Sequence, residues 1–350
     1  MYWKIIENHP DLRFYKKVNA EYVSFSNPLF EDEVQVQSVK NCRLNFQFNN
    51  GYNKIHFTQF IASIKNVYLE PTFFILIKKF NILIKESIVF EWYKVSFRKF
   101  ISHFFLRQCS KVEKAVLFDA KVGKNIFHFY NDILPKIFVS VPGFSNIQFL
   151  IGEELYYSKL FQYFLQFDFV KNNNWKIISK NKFLFVKEMF LIKVPEYDAE
   201  KLKLIADEAL SKNEIDGSNN LKLFINRKES TGRTISNFKA IEPILLKNNF
   251  VILYLEDLNI AEQIEFFSKA KVIVGIHGAG LTNMIFSYRN KPKILEVTAS
   301  DYIPTHYYWL ANSFSFEYKL FLGDNLIHEN DKQKFAIDIK RFTNIITKFE

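Results

Sequence analysis

Cysteine is nearly absent: Cys42 and Cys109 are the whole complement. Two thiols so far apart exclude a disulfide framework and a thiolate metal site, and they suit a reducing compartment. Long hydrophobic runs are also missing. The most lipophilic stretch, PTFFILIKKFNILI, is short and interrupted by Lys78 and Lys79, so it makes no bilayer span. The opening residues, MYWKIIENHPDLRFYKK, lack the apolar core of a signal peptide. The formal charge is +10, yet the lysines are scattered, with no like-charge block and no arginine-rich tract. RNA-recognition signatures, zinc-finger spacing and a basic-region helix are lacking too. No nucleic acid partner is therefore expected. The chain is expected to be cytoplasmic, with a positive charge that suits anionic ligands or rest on an anionic membrane surface.

Glycine is scarce as well, at ten copies in 350 residues, and this makes its clustering informative. Three of the ten fall within six positions in VGIHGAGLTNMIF, residues 274 to 286. The preceding KVIV reads as a short buried strand. LTNMIFSY reads as a helix, with Leu281, Ile285 and Tyr288 sharing one face. A strand that turns through small residues into a helix leaves the first helical N–H groups unpaired, and these form a seat for an anion. Glycines at such a turn also serve tight packing, and His277 could be structural. The spacing is neither GxGxxG nor a P-loop, because no Lys-Ser/Thr follows.

What is abundant says less. Forty phenylalanines, with many Ile, Asn and Lys, read as composition bias rather than as an aromatic binding surface. A chain of this length is long for one core, so two domains are expected. Residues 20 to 110 are strand-like, in SVKNCRLNFQF, FFILIKKFNILI and SIVFEWYKVSF. From about residue 115 strands alternate with helices: AVLFDA, NIFHFYNDILPKIFVSV, NIQFLIG, WKIIS and KFLFVKEMFLI. AEKLKLIADEALSK is an amphipathic helix, and the polar SKNEIDGSNN that follows is the best linker candidate. Beyond it LKLFINR, IEPILLKNN, FVILYL, AEQIEFFSKA, KVIVGI and KPKILEV form a Rossmann-like series. Such a series binds ligands at the carboxyl ends of its strands. In QKFAIDIKRFTNIITKF, Phe335, Ile339, Phe342, Ile346 and Phe349 form one helical stripe that must bury against something.

Two further features sit at strand ends. LKLFINRKESTGRTISN carries Arg227 and Lys228, with Arg233 close behind, and the arginine fork matches phosphate oxygens. Glu296, ending ILEV, could accept hydrogen bonds from a ribose diol or could salt-bridge to an arginine. Arginine pair, glycine turn and glutamate together describe a nucleotide diphosphate pocket.

The run EQIEFFSKAKVIVGIHGAGLTNMIFSYRNKPKILEV closely resembles the C-terminal signature of glycosyltransferase family 61. NRKESTGRTISN resembles the family's arginine-rich motif, with Arg227, Arg233 and Asn237 matching, while Lys228 stands where a second arginine is usual. NIFHFYNDILPKI resembles its N-terminal motif through His128, Asp132, Leu134 and Pro135. The resemblance covers roughly residues 115 to 310. It implies an α/β, GT-B-like fold of two Rossmann-like domains facing a cleft, with a strand-rich N-terminal portion. Residues 1–214 would bind the acceptor, strand-rich over 1–114 and α/β over 115–214. Residues 215–350 would bind the nucleotide sugar, with the last helix packing back on the N-terminal domain.

The implied activity is inverting transfer of a sugar from a nucleotide-sugar donor, with a UDP-sugar favoured, to a glycan or lipid-linked glycan acceptor in capsular polysaccharide synthesis. No metal and no cofactor are implied, because protein cations would stabilise the leaving diphosphate. Asp132 and His128 are the candidates for the base, either one with the other orienting it. Arg227, Arg233, His277, Gly278, Ala279, Gly280, Asn283 and Glu296 are the candidates for holding the donor. Gln263 more naturally positions the loop, Glu256 could meet the nucleoside, and Tyr302, His306 and Tyr307 lie where a base or sugar could stack. The rival expectation is a catalytically idle nucleotide-binding scaffold in a polysaccharide assembly complex.

Overall fold

The computed structural model describes residues 4–21, 29–30, 56–79, 82–87, 110–139, 147–180, 182–212, 220–228, 232–329 and 332–349. SVKNCRLNFQF, most of SIVFEWYKVSF and of SKNEIDGSNN, and both cysteines lie outside them. The chain divides into two compact units, Met1–Ala20 with His56–Glu196, and Glu21–Ile55 with Tyr197–Glu350. Among the described residues no helix is long and apolar enough to cross a membrane.

The first unit is built on a mixed nine-stranded sheet. Its spatial order is Lys4–Ile6, Ile82–Ile84, Ile75–Lys78, His56–Glu70, Leu184–Lys193, Ser110–Leu117, Gln148–Gly152 and Trp175–Ile178, with Leu12–Glu21 also paired to His56–Glu70. From Leu184–Lys193 to Trp175–Ile178 the strands run parallel. The run FFILIKKFNILI becomes two antiparallel strands continuing the other side. Val67, Leu69, Leu76, Leu150, Val186 and Met189 form the buried core.

After Ser110–Leu117 the chain enters a helical stretch of changing pitch. Ile126–His128 is α, Phe129–Ile133 is π, and Leu134–Phe138 is 3-10. Asn125 opens it by accepting the Phe127 N–H at 2.9 Å. The wide turn is closed by Leu134 N–H donating to Phe129 O. Pro135, which has no N–H to give, then starts the tighter turn. Such widened turns recur where a helix must present side chains for function.

The second unit carries a six-stranded parallel sheet in the order Phe250–Tyr254, Leu221–Asn226, Ala270–Ile276, Lys293–Ala299, Tyr318–Gly323, Leu29–Phe30. Its five longer strands follow the chain-order pattern 2-1-3-4-5. The direction of winding therefore reverses between Leu221–Asn226 and Ala270–Ile276, and ligands of such sheets bind beyond the strand ends at that reversal. Arg233–Ile235 leads into a separate three-stranded sheet with Lys332–Phe335 and Ile327–Glu329.

Two helices pack within the second unit. Ala199–Lys212, grouped by sequence with residues 1–214, packs on the 260–268 and 279–290 helices of the second unit. The last helix, Ile339–Lys348, buries Phe342 and Ile346 in its own unit's core with Phe224, Ile241 and Phe321. Phe335 sits on a strand, and Ile339 is exposed. An amphipathic stripe shows that a face is buried, not which surface covers it. Phe342 is fully buried, with edge contacts to Phe224 at 6.4 Å and Phe321 at 5.5 Å. Phe342→Ala should lower urea-unfolding stability by about 3–5 kcal/mol. A loss under about 1 kcal/mol, the scale of a surface change, would contradict this placement of the helix.

Candidate functional site

Arg227 leaves the end of Leu221–Asn226, at the sheet's reversal. Asn226 fixes its departure: Oδ1 accepts the Arg227 N–H at 2.9 Å, while Nδ2 donates to the Tyr254 hydroxyl at 2.8 Å. The guanidinium then crosses to the next strand end, where Nη1 donates to His277 O at 3.0 Å. Two glycines make room for it. A Cβ on Gly278 would stand 2.8 Å from Nη1, and one on Gly232 would stand 3.1 Å from Nη2. Gly232 has φ +124°, which L side chains rarely adopt, whereas Gly278 has φ 169° and is needed for clearance alone. Burial first, and then the charge of Arg233, press the Arg227 pKa below its ordinary value.

Arg233 lies with Cζ 4.1 Å from the Tyr302 ring centroid. Its Nε is shielded from solvent and has no hydrogen-bond acceptor among the described residues. Arg233 stands close enough to disfavour the charge of Arg227, and its own Nε donor is unmatched, so the site is short of negative charge.

His277 follows Ala270–Ile276, and its own N–H is tied to Val297 O at 2.9 Å. The imidazole is buried beside Tyr302 and Tyr307, with ring centroids at 5.4 and 5.0 Å. Its Nδ1 bonds Glu296 Oε1, and the other carboxylate oxygen accepts the Tyr318 hydroxyl at 2.6 Å. With Nδ1 held, Nε2 is the ring nitrogen left for a ligand. Burial, and then the Glu296 charge, raise the Tyr318 and Tyr307 hydroxyls, so both remain protonated.

This geometry changes several assignments. Glu296 is 0% exposed and both of its oxygens are engaged, so it buttresses His277 instead of meeting a ribose. Asn283 is buried and donates to Gln263 Oε1 at 2.9 Å. Gln263 in turn donates to Leu255 O and Leu258 O, so this pair holds the loop. A Cβ on Gly280 would meet Leu255 Cδ1 at 2.5 Å, which makes Gly280 a packing position. The turn's helix, Ala279–Asn290, is 3-10 throughout and starts with Leu281 N–H donating to Gly278 O at 3.0 Å. Lys228 pairs with Asp257, and Asn237 exchanges two hydrogen bonds with the Ile337 backbone, so neither turns to the arginines. Glu256 lies near enough to Arg227 to favour its charge. His306 bonds the Tyr197 hydroxyl through Nδ1 at 3.1 Å. Tyr302 and Tyr307, weak candidates by sequence, prove to wall the arginine–histidine cluster; their position just past a strand's carboxyl end was the available signal.

In the first unit, the widened helical turn brings His128 Nδ1 to 2.6 Å from Asp132 Oδ2. Both side chains keep partial exposure, 26% and 32%. Around them stand titratable groups that sequence reasoning did not single out. Asp119 accepts the N–H groups of Ala120 at 2.6 Å and Gly152 at 2.9 Å. Burial outweighs those bonds and pushes its pKa up to about 7. Lys136 donates to Phe118 O at 2.8 Å, and burial lowers its pKa to about 8. Burial and the Asp132 charge also raise Glu196. Asp119 and Lys136 each interrupt an apolar run, in AVLFDA and ILPKIF, which is the trace they leave in sequence. Among the described residues no group of three or more His, Cys, Asp and Glu is placed to hold a metal ion.

The steric role of Gly278 gives a direct test. Gly278→Ala must displace the Arg227 guanidinium, so inorganic pyrophosphate, titrated calorimetrically, should bind about tenfold more weakly or worse. Unchanged affinity would mean that Arg227 is not part of an anion site.

No curated protein matches the chain. Residues 126–294 match the family model of glycosyltransferase 61. That span is somewhat under half of the chain. It contains His128, Asp132, Arg227, Arg233, His277 and the glycine turn, and stops short of Glu296 and the tyrosines. Over that stretch the chain is similar to glycosyltransferase 61.

Proposed function

We propose that the protein is an inverting glycosyltransferase that moves one sugar from a nucleotide-sugar donor, a UDP-sugar by preference, to a glycan acceptor in surface polysaccharide synthesis. The observation that carries this reading is the paired guanidiniums at the reversal of a 2-1-3-4-5 parallel sheet, with Arg227 donating to His277 O and Arg233 Nε unmatched. A diphosphate supplies the missing negative charge in a geometry that arginine forks match. As the donor's sugar–phosphate bond breaks, charge grows on the diphosphate. Arg227, Arg233 and His277 Nε2 would stabilise it, standing in for a metal ion. Glu296, held by Tyr318, keeps His277 oriented at that moment.

The acceptor's nucleophile would be a hydroxyl that loses its proton as it attacks the anomeric carbon. Asp132 takes that proton in this reading, because it borders a cavity of the first unit that His128 does not line. His128 then orients the carboxylate through Nδ1. The division of labour is that of a GT-B enzyme, with the donor in the second unit and the acceptor in the first. The excess positive charge suits an acceptor carried on a lipid diphosphate at the inner face of a membrane.

The rival is an idle nucleotide-binding scaffold, and one pair of variants separates the two. UDP, GDP and CDP are compared as stabilisers in thermal unfolding, since a bound nucleotide raises the melting temperature. One of them should stabilise the wild type and Asp132→Asn equally and leave Arg227→Ala unshifted. Release of the matching nucleotide from its sugar donor should fall about 10²–10⁴-fold in Asp132→Asn. Full activity in Asp132→Asn would remove Asp132 as the base. No turnover by the wild type on any donor, with nucleotide binding intact, would favour the scaffold.

A further inference from the structure

The first unit holds an open-sided cavity of about 490 Å³, within the range of small-ligand sites. Phe14, Lys17, Phe60, Lys85, Asp132 and Lys136 are among its walls. A void left by imperfect packing would be lined by apolar carbon and stay dry. This one is bordered by ammonium and carboxylate groups as well as rings. Perturbed titratable groups gather there too, with Asp119 raised and Lys136 lowered by burial. That combination marks a binding site more often than a structural core.

The mixture of surfaces points to the ligand class. A sugar ring presents C–H faces to apolar and aromatic walls and hydroxyls around its edge. Phe14, Phe60 and Leu191 offer the first kind of surface, while Lys85, Asp132 and Lys136 offer donors and acceptors for the second. Asp132, the proposed base, stands in the wall, where a hydroxyl of a ring held in the cavity could reach it. Phe14, Lys17, Phe60 and Lys85 all come from strands or their edges before residue 126, outside the stretch that matches the family model.

We infer that this cavity holds the terminal sugar of the acceptor, and that the N-terminal strands outside the family match select which sugar it is. This rests on the reading of the first unit as the acceptor-binding one. Residues 4–21, 56–79 and 82–87 thereby acquire a role that the strand-end chemistry of the second unit does not give them.

The test is saturation-transfer NMR on the full chain with UDP present. The probes are the methyl β-glycosides of glucose, galactose, N-acetylglucosamine and glucuronic acid. At least one should give a signal with the wild type. Phe14→Ala should weaken that probe about tenfold by removing a ring from the wall. Lys17→Trp, at an exposed position where folding is not at stake, should weaken it comparably by crowding the cavity. Binding that survives both changes, or no binding of any probe, would overturn the assignment. UDP titrated in the same samples separates the two levels. If UDP binds and the probes ignore both variants, the cavity assignment alone falls. If neither UDP nor, in parallel samples, GDP or CDP binds the wild type, the glycosyltransferase reading falls and takes this inference with it.

Discussion

The hydrogen bond from Arg227 Nη1 to the carbonyl of His277 joins the two strand ends between which the sheet reverses, and the candidate site is organised around it. A guanidinium can lie across that gap only where the backbone beneath and beside it has no side chains. Gly278 and Gly232 provide that clearance, one from each of the loops involved. A chain so poor in glycine therefore spends its small residues on accommodating an arginine. The arginine is half-buried, crowded by Arg233 and disfavoured as a cation, and the last two conditions ease when an anion binds.

Behind this cluster lies a second constraint. Glu296 is a fully buried carboxylate, tolerable only because the His277 ring and the Tyr318 hydroxyl meet both oxygens. The network fixes the imidazole's orientation from below while Tyr302 and Tyr307 flank it. The chemistry left for the first unit is of a different kind. There a pair of groups, His128 and Asp132, is brought together by a helical turn widened ahead of Pro135.

Much of this was legible in sequence because it is local. The strand, turn and helix of VGIHGAGLTNMIF, the strand ending at Arg227 and the amphipathic 199–212 helix all carry short-range signatures, and each forms. Strand order was not legible, since pairing Leu221–Asn226 between Phe250–Tyr254 and Ala270–Ile276 depends on contacts far apart in the chain. Glu296 shows the same limit at the scale of one residue. A strand-end position says that a carboxylate is near the ligand edge, but not that a tyrosine twenty-two residues on will close it into the core. In sequence the glycine turn looks like a seat made by helix amides, whereas in the structure Gly278 serves Arg227 and Gly280 serves Leu255. Asp119 and Lys136 are hard to single out in sequence, because one charge in an apolar run has no periodicity to mark it.

The central claim is that the paired arginines at the sheet reversal hold a diphosphate. A crystal structure of the protein soaked with UDP measures this most directly. The account predicts diphosphate oxygens about 2.7–3.1 Å from guanidinium nitrogens of both Arg227 and Arg233, with His277 Nε2 facing the same group. A diphosphate bound elsewhere on the chain, with Arg233 Nε still unmatched, would contradict it.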